Sequence, residues 1–372
     1  MRRQSVLVFA VLCLAFLAGN GSADTYSVTV LHPSGFSQSY AWSVSGGQQV
    51  GRGRGSATGD QLALLWSGTA ASYVDLHPSG FNPNQSSAWS VSGGQQVGYA
   101  GTHALLWSGA ADKYVDLHPS GFSQSYALGV SDDQQVGYGQ APDVSGTQYS
   151  PHALLWSGTA AGYVDLNPSG FSESYAQGVS GDQQVGYGSG HGMSGQHALL
   201  WSGTAASAID LNPSGFLWSE ATGVSGDQQV GFGYAPGMSG WHALLWSGTA
   251  AGYVDLNPSG FGGSFGRAVS DGQQVGYGYG PDVSGDHALL WSGTAASCID
   301  LHSFLPPGYE SSQAFGIDSA GNIVGRAWAT GGGDTRAVLW EHQPNVVPVP
   351  GALLLGSIGL SVAGWRLRRR TS

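Results

Sequence analysis

The chain has 372 residues, of which 41% are hydrophobic and 11% aromatic, a composition that allows a sizeable packed core and excludes an intrinsically disordered protein. Glycine occurs 62 times and only 9% of the residues are charged, which favours many short strands joined by tight turns. Six of the twelve basic residues lie at the two ends, so the rest of the chain carries 23 acidic and six basic residues, a net charge of −17 that argues against nucleic acid as a partner.

Residues 1–23 have the pattern of a secretory signal peptide. The basic start MRRQ is followed by an apolar run over residues 5–19 and by the small residues NGSA, with the expected cleavage between Ala23 and Asp24. We therefore predict a signal helix and export from the cytoplasm. Because Cys13 lies in this leader, Cys298 is the single cysteine of the mature chain and no internal disulfide can form.

Residues 24–342 repeat one unit seven times, with a period of about 45 residues. Each copy contains a variant of the phrase HALLWSGTAASCIDL, the last copy being the degenerate RAVLWEH. One tryptophan marks the same position of every copy: Trp66, Trp107, Trp156, Trp201, Trp246, Trp291 and Trp340. This period is that of propeller blades rather than that of helical solenoids.

Each unit has four short apolar stretches, represented by GVS, QQVG, HALLW and AIDL in residues 176–211. In the first six units GG, DD, GD or DG separates GVS from QQVG, which is the chemistry of a type I′ hairpin with positive φ at both turn positions. A second hairpin is expected across SGTAA. The sequence therefore predicts an all-β fold, a propeller of seven four-stranded blades; a β-solenoid is the alternative, which the variable repeat length disfavours.

The last unit lacks a YVDL stretch, and the N-terminal YSVTVLHP, residues 26–33, supplies a seventh one. We expect this strand to complete the last blade and so to remove the open edges of the array. The units resemble the HAF repeats of bacterial extracellular proteins, in which a G-x-V-V-G segment precedes H-A-F-L-W and D-L. Here QQVG and HALLW stand at those places, and the resemblance implies an extracellular repeat protein of undetermined biochemical role.

Two ionisable positions recur in the units. A histidine opens five copies of HALLW, and an aspartate precedes leucine in six units. Equivalent positions on different blades are far apart, so we interpret the histidines as hydrogen-bonding groups, as in WD-repeat propellers, and the aspartates as caps of the following HPSG or NPSG turn. No metal site and no cofactor are predicted.

The connections between QQVG and HALLW vary in length and are rich in aromatic residues. Insertions in repeat folds collect on one face, often the binding face, and aromatic rings with nearby carboxylates suit sugar rings. Unconstrained loop variation is the alternative. The candidate ligand-binding residues are Tyr138, Asp143, Tyr149, Phe232, Tyr234, Trp241, Tyr277, Tyr279 and Asp282.

The C-terminal end combines a linker, residues 343–350, with residues 351–372, in which an apolar run precedes an arginine cluster. The run predicts a hydrophobic helix that contacts the membrane at least transiently. The tail resembles the PEP-CTERM sorting signals of Gram-negative bacteria, which implies an exosortase as partner and a destination in the cell envelope, on the outer surface or in the extracellular matrix. A plain single-pass anchor is the alternative. The motif residues are Val347, Pro348, Val349, Pro350, Arg366, Arg368, Arg369 and Arg370.

These features predict an exported, non-catalytic repeat protein that binds or organises extracellular polysaccharide or matrix. A purely structural or protein-interaction module is the first alternative. A propeller glycoside hydrolase or lyase is less favoured, because no non-repeated cluster of carboxylates or histidines marks a place for a general acid and base.

Overall fold

A computed structural model of the chain describes residues 25–81, 85–142 and 149–344. The predicted signal peptide, Asp143, the predicted sorting motif, the predicted C-terminal helix and the C-terminal arginines lie outside the described residues. In the part of the chain that is described, no helix is long and apolar enough to cross a membrane. Residues Tyr26–His342 form one compact unit.

The described strands form seven four-stranded antiparallel sheets, so the predicted seven-bladed propeller is confirmed. In the first six blades the strands are consecutive in sequence. Blade 1 contains β2 (Phe36–Ser45), β3 (Gln48–Gly55), β4 (Gln61–Trp66) and β5 (Val74–Asp75), after the N-terminal strand β1 (Thr25–Val30). Blade 2 contains β6 (Ser86–Ser92), β7 (Gln95–Ala100), β8 (His103–Trp107) and β9 (Tyr114–Asp116).

The next blades repeat this order. Blade 3 contains β10 (Ser125–Ser131), β11 (Gln134–Pro142), β12 (Tyr149–Trp156) and β13 (Tyr163–Asp165). Blade 4 contains β14 (Phe171–Ser180), β15 (Gln183–Gly190), β16 (His197–Trp201) and β17 (Ile209–Asp210). Blade 5 contains β18 (Trp218–Ser225), β19 (Gln228–Tyr234), β20 (His242–Trp246) and β21 (Val254–Asp255). Blade 6 contains β22 (Gly263–Ser270), β23 (Gln273–Tyr279), β24 (Asp286–Trp291) and β25 (Ile299–Asp300).

Blade 7 joins the two ends of the repeat region. It contains β26 (Tyr309–Ile317), β27 (Ile323–Ala329) and β28 (Thr335–Gln343), and β1 pairs with β28 as the fourth strand. The N-terminal strand therefore closes the ring, as the strand count predicted. Short 3₁₀ turns lie between the third and fourth strands of five blades, at Ala70–Ser72, Ala160–Gly162, Ala205–Ser207, Ala250–Gly252 and Ala295–Ser297, and a further one spans Leu301–Phe304.

The hydrophobic core is divided among the interfaces between blades. One cluster joins Leu155 of blade 3 to Ala176, Leu199 and Trp201 of blade 4, and the other interfaces repeat it. The seven repeat tryptophans are completely buried. A single blade cannot cover both of its faces, so each near-identical Leu-Leu-Trp segment packs against the next copy.

The turns between first and second strands follow the predicted chemistry in part. Both turn residues have positive φ in Gly46-Gly47, Gly93-Gly94 and Asp271-Gly272. Where an aspartate stands second, only the first residue has positive φ: Asp132, Gly181 and Gly226. Aspartate tolerates the left-handed region at the first position, where Asp132 and Asp271 have φ of 49° and 46°, whereas the φ of 78–80° at the second position occurs in these turns at glycine.

Candidate functional site: an axial cavity lined by aromatic and arginine side chains

A β-bulge interrupts the first strand of every blade at one position. In β2 the register shifts between Ala41 and Ser43, so Trp42 is the extra residue, and the other six blades repeat this shift. A bulged residue leaves the ladder and its side chain is turned out of the regular alternation. We call the seven bulged residues the axial ring: Trp42, Trp89, Leu128, Gln177, Thr222, Arg267 and Phe315.

The glycine of QQVG makes room for this bulge. A Cβ atom on Gly137 would overlap the carbonyl oxygen of Tyr126 on the neighbouring first strand, and the same clash recurs in the other blades. The sequence requirement for glycine is therefore a close approach of two backbones.

The axial ring lines a cavity of about 290 Å³ on the propeller axis. The other residues lining it are Tyr277, Gln313 and Arg326, which lie towards the end where the second strands finish and the third strands begin. All seven ring residues are half-buried. The first strands continue past the ring and line the axis towards the opposite end, where the two-residue hairpins lie.

An aromatic belt lies next to the axial ring, formed by the first-strand residue two places before the bulge and its second-strand partner. Both residues are aromatic in blades 3, 4 and 6 and one is aromatic in blades 1, 2 and 5, whereas blade 7 has Gln313 and Arg326 at these places. Tyr126 and Tyr138 are 5.0 Å apart between ring centroids, and Tyr138 is 4.8 Å from Tyr175 of the next blade. On the other side of the axis, Phe265 lies 4.9 Å from Phe232 and 5.0 Å from Tyr277. Such contacts, within one blade and between successive blades, hold the rings in fixed orientations.

Burial shifts the pKa of several ionisable groups in the belt. Burial, with nearby tyrosines as a smaller cause, raises the pKa of Tyr138 to about 12. Burial likewise raises the pKa of Tyr187, where Glu220 adds to the shift, and the pKa of Glu220 itself, although Arg267 opposes the latter. Burial disfavours the charged form of each group, so these two phenols remain neutral at physiological pH.

Arginines stack on the aromatic groups in blades 6, 7 and 1. The guanidinium of Arg326 lies 4.5 Å from the ring centroid of Trp328, and that of Arg52 lies 4.7 Å from Tyr40. Arg267 lies 5.3 Å from both Phe232 and Tyr277. These distances are typical of cation–π contacts.

The structure separates the candidate residues of the sequence analysis into two groups. Tyr138, Phe232 and Tyr277 were expected in loops and instead lie within β11, β19 and β23, because these strands extend beyond the QQVG motif; they belong to the belt. The remaining described candidates lie at strand ends or in the adjoining connections: Tyr149, Tyr234, Trp241, Tyr279 and Asp282.

Trp241 connects the second group to the belt. Its ring centroid lies 5.5 Å from that of Phe232, 5.8 Å from that of Tyr234 and 6.3 Å from that of Phe265. Tyr149 and Tyr279 are 49% and 36% exposed and are available to solvent.

The recurrent histidines and aspartates form a network that links neighbouring structural elements. His103 Nδ1 lies 2.7 Å from Asp116 Oδ2, and four other blades repeat the pair at 2.7–2.8 Å. The other carboxylate oxygen of Asp116 accepts a hydrogen bond from the backbone N–H of His118, so the predicted capping of the turn is confirmed. Within the described residues, no group of three or more His, Cys, Asp or Glu side chains is placed to hold a metal ion.

The same turns tie each blade to the next. In blade 4, Ser174 Oγ donates to Asn167 Oδ1 of the preceding turn and accepts from the backbone N–H of Ala153 in blade 3. Where the turn begins with histidine, His118 Nδ1 takes the place of the asparagine oxygen, 2.9 Å from Ser125 Oγ. This explains why His and Asn interchange at that position.

The axial ring was missed by the sequence analysis, although the sequence contains a signal for it. Around it the units read YA-x-SVS, YA-x-GVS or close variants, and the residue at x takes six different identities in seven copies. A variable position inside an otherwise repeated strand indicates a side chain that does not serve blade packing.

No family model and no curated protein sequence matches the chain. Solved structures of similar fold include a puromycin hydrolase mutant complexed with PGG, with 12% identity and a TM-score of 0.52, covering 86% of this chain and 56% of that one. An oligogalacturonate lyase in complex with manganese has 9% identity and a TM-score of 0.50, covering 87% and 97%. The acylaminoacyl peptidase of Pyrococcus horikoshii has 9% identity and a TM-score of 0.51, covering 82% and 52%.

The chain thus spans about half the length of the puromycin hydrolase and of the acylaminoacyl peptidase. At these identities the similarity concerns the propeller fold alone.

Proposed function

We propose that the protein is an exported, non-catalytic propeller that binds an extracellular polysaccharide at the axial cavity. The observation that carries this proposal is the axial ring, a strand position at which the near-identical blades present different side chains to a shared cavity. Packing between blades accounts for the positions at which every repeat has the same residue. A set of individually different residues around one cavity is what recognition of an asymmetric ligand requires.

The residues lining the cavity suit a saccharide. Trp42 is stacked on Trp89 at 5.0 Å and on Tyr40 at 5.5 Å, which fixes its orientation. Both tryptophans line the cavity, where their indole surface can meet the apolar C–H face of a sugar ring. Gln177, Gln313 and Thr222 add amide and hydroxyl groups that can donate to and accept from sugar hydroxyls. A volume of about 290 Å³ is at the small end of ligand pockets, so one end of a glycan chain fits this proposal better than a long segment.

Binding without catalysis is supported by the chemistry of the lining. Of the ten described residues that form the cavity, none carries a carboxyl, imidazole or thiol group. Glycoside hydrolysis uses a pair of carboxyl groups about 5–10 Å apart. The phenol oxygen of Tyr277 accepts a hydrogen bond from Arg267 at 2.9 Å, which gives it a positioning contact within the lining.

Glycan binding by the full-length protein in detergent tests the site. Trp42→Ala and Trp89→Ala are expected to weaken binding by at least about tenfold, because each removes one stacking surface. Tyr149→Ala and Tyr279→Ala, at exposed positions among the connections, are the matched controls and should bind as the parent does. Loss of binding in the Tyr variants with retention in the Trp variants would place the site on the connections and overturn the cavity proposal.

We further propose that the C-terminal residues direct the protein to the cell surface through an exosortase. The support is the sequence alone, namely the V-P-x-P motif from Val347 to Pro350 followed by the apolar run and the arginine cluster. Replacing the four motif residues with alanine should leave an uncleaved protein in the membrane fraction. Surface delivery of this variant at the parent level, measured by fractionation and mass of the C terminus, would contradict the sorting role.

A protein-interaction module is the second candidate, and one observation favours it. The short fourth strands and the residues just before them expose apolar side chains around the outside of the propeller, including Tyr73, Val74, Tyr114, Val115 and Ile209. Exposed apolar residues that recur around a surface are typical of interaction sites. Glutamate at Val115 and Ile209 would abolish partner binding under this candidate and would leave glycan binding unchanged.

A further inference from the structure

Three of the six basic residues of the repeat region converge on the axial cavity. Arg267 and Arg326 line it, and the guanidinium of Arg52 lies 5.7 Å from the ring centroid of Trp42. Phe315 of the axial ring lies between two of them, 5.3 Å from Arg326 and 6.0 Å from Arg267. In a chain with 23 acidic residues, this clustering of positive charge at one place is a local reversal of the overall charge.

The hydrogen bonds of these arginines go to neutral groups. Arg326 donates through Nε and Nη2 to Gln313 Oε1 at 3.0 and 2.7 Å, and Arg52 donates to Gln61 Oε1 at 2.9 Å. The ion pairs between described residues are the five His–Asp pairs, so none of the three arginines is within 4.0 Å of a carboxylate there. Each charge is half-buried and lacks a counter-ion within the cavity.

Two carboxyl groups lie near these arginines, one fewer than the guanidinium groups. Burial, the largest cause, raises the pKa of Glu220, although Arg267 opposes the shift. Asp286 accepts a hydrogen bond from the amide of Gln313 and reaches Arg326 only through that side chain. Burial, followed by the neighbouring Arg52 and Arg267, lowers the pKa of Arg326, although Tyr40 and Tyr277 oppose this. Three guanidinium groups therefore lie close to these two carboxyl groups, and Asp60 lines a separate pocket together with Arg52 and Arg54.

Three donors on residues that line the cavity also lack acceptors. Arg267 Nε and the indole N–H groups of Trp42 and Trp89 are buried and have no hydrogen-bond partner. An unsatisfied buried donor is costly, and an anionic oxygen is the strongest acceptor it can meet. The unpartnered donors and the arginines lie on blades 6, 7, 1 and 2, whereas Leu128, Gln177 and Thr222 form an uncharged side.

From this arrangement we infer that the ligand of the axial cavity is an anionic saccharide, one that presents a uronate carboxylate or a sulfate ester to Arg267 and Arg326. This inference rests on the proposed glycan-binding function and specifies its ligand. The anionic group lies on the arginine side of the cavity, and the sugar ring to which it is attached packs on the tryptophans.

The test uses the full-length protein in detergent and three ligands of one length: cellohexaose, its C6-carboxylated form and its sulfated form. At low ionic strength at least one charged form should bind at least about tenfold more tightly than cellohexaose, as one charge-assisted hydrogen bond allows. The preference should shrink in about 0.5 M NaCl, because salt screens the charges. The carboxylated and sulfated forms distinguish the two sources of charge.

Substitutions in and around the cavity test where the charged group of the ligand is bound. Arg267→Gln and Arg326→Gln should each lower the affinity for the preferred charged ligand by about tenfold, with Arg54→Gln as an exposed control on the neighbouring surface. Because both arginines also stack on aromatic rings, Leu128→Asp provides a second approach that leaves them intact. It should weaken binding of the charged ligand by a larger factor than Leu128→Asn does, because the aspartate and asparagine side chains have nearly the same shape and only aspartate is charged.

The outcomes separate this inference from the function on which it rests. Equal affinity for cellohexaose and both charged forms, lost in Trp42→Ala, would overturn the anionic ligand and leave glycan binding in place. Binding of none of the three ligands by the folded protein would overturn both. Tight binding of a charged form that Leu128→Asp and the arginine variants do not weaken would place the charge recognition elsewhere.

Discussion

The backbone N–H of Leu31 donates to the carbonyl oxygen of Ala337 at 2.8 Å, which joins the segment just after β1 to β28 of the last blade. Leu31 is completely buried against Trp66 of blade 1 and Leu339 of blade 7. The side chain thus contributes to the interface at which the ring closes, and closure leaves no blade face uncovered.

Loss of the Leu31 side chain should therefore destabilise the whole propeller. Leu31→Ala is expected to lower the free energy of unfolding by about 3 kcal/mol, measured by denaturant titration. Leu31→Met, which conserves volume, should cost less than about 1.5 kcal/mol. Truncation after Pro344, which removes no strand of the seven sheets, is the control. An unchanged midpoint in Leu31→Ala would mean that the ring does not depend on this contact.

The turn histidines should make stability depend on pH. Burial lowers the pKa of His32, His118 and His302 from its ordinary value of 6.5. The unfolded chain then binds protons more readily than the folded one, so the free energy of unfolding falls as the pH drops through about 6.5.

Asparagine provides a natural replacement for these histidines, because Asn167 occupies the same position in blade 4 and hydrogen bonds to the equivalent serine. The triple variant His32→Asn, His118→Asn, His302→Asn should lose less stability than the parent between pH 7.5 and pH 5.5. The exposed His191→Asn serves as the control. An identical pH dependence in the triple variant and the parent would refute this assignment.

The glycine of QQVG should be irreplaceable. Gly137→Ala places a methyl group against the Tyr126 carbonyl oxygen and is expected to lower the free energy of unfolding by about 3 kcal/mol or more, because neither backbone can move without disturbing the bulge.

Gly162→Ser is the contrasting change. The equivalent Ser207 accepts from the backbone N–H of Ser202 at 2.8 Å and donates to the Thr204 carbonyl at 2.6 Å. The serine of Gly162→Ser can form the same two hydrogen bonds, so this substitution should leave the stability unchanged or stabilise blade 3 by about 0.5 kcal/mol. Thermal unfolding distinguishes the two, and tolerance of Gly137→Ala would contradict the close approach.

Cys298 should be unreactive in the folded protein. Burial, with Asp300 as the smaller cause, raises the pKa of its thiol to about 12. Since the thiolate is the reactive form, alkylation by iodoacetamide at pH 8 should be at least about 100-fold slower than in the urea-unfolded chain. Mass spectrometry of the peptide that contains Cys298 gives both rates. Comparable rates would show that the thiol is accessible and ionised in the native state.

The sequence predicted the architecture well because the repeated residues serve packing. Trp201 and its equivalents lie between blades, and residues 26–33 were the one apolar stretch left to complete blade 7. Both are consequences of counting strands and burying apolar faces.

The candidate site was predicted less well, because the expected ligand-binding residues were chosen from loop insertions, whereas the axial ring lies within the first strands. Tyr138, Phe232 and Tyr277 were assigned to loops because strand ends are not marked when a strand continues through alternating tyrosine and glycine. The bulge that turns Trp42, Arg267 and Phe315 towards the axis is a register shift, and single-strand patterns do not reveal register.

The structure of the protein with the preferred charged hexasaccharide bound at saturation tests the central claim most directly. The account predicts glycan density in the axial cavity, with an anionic group against Arg267 or Arg326 and a sugar ring on Trp42 or Trp89. An empty cavity with glycan ordered on the connections around Trp241 and Tyr279 would contradict it.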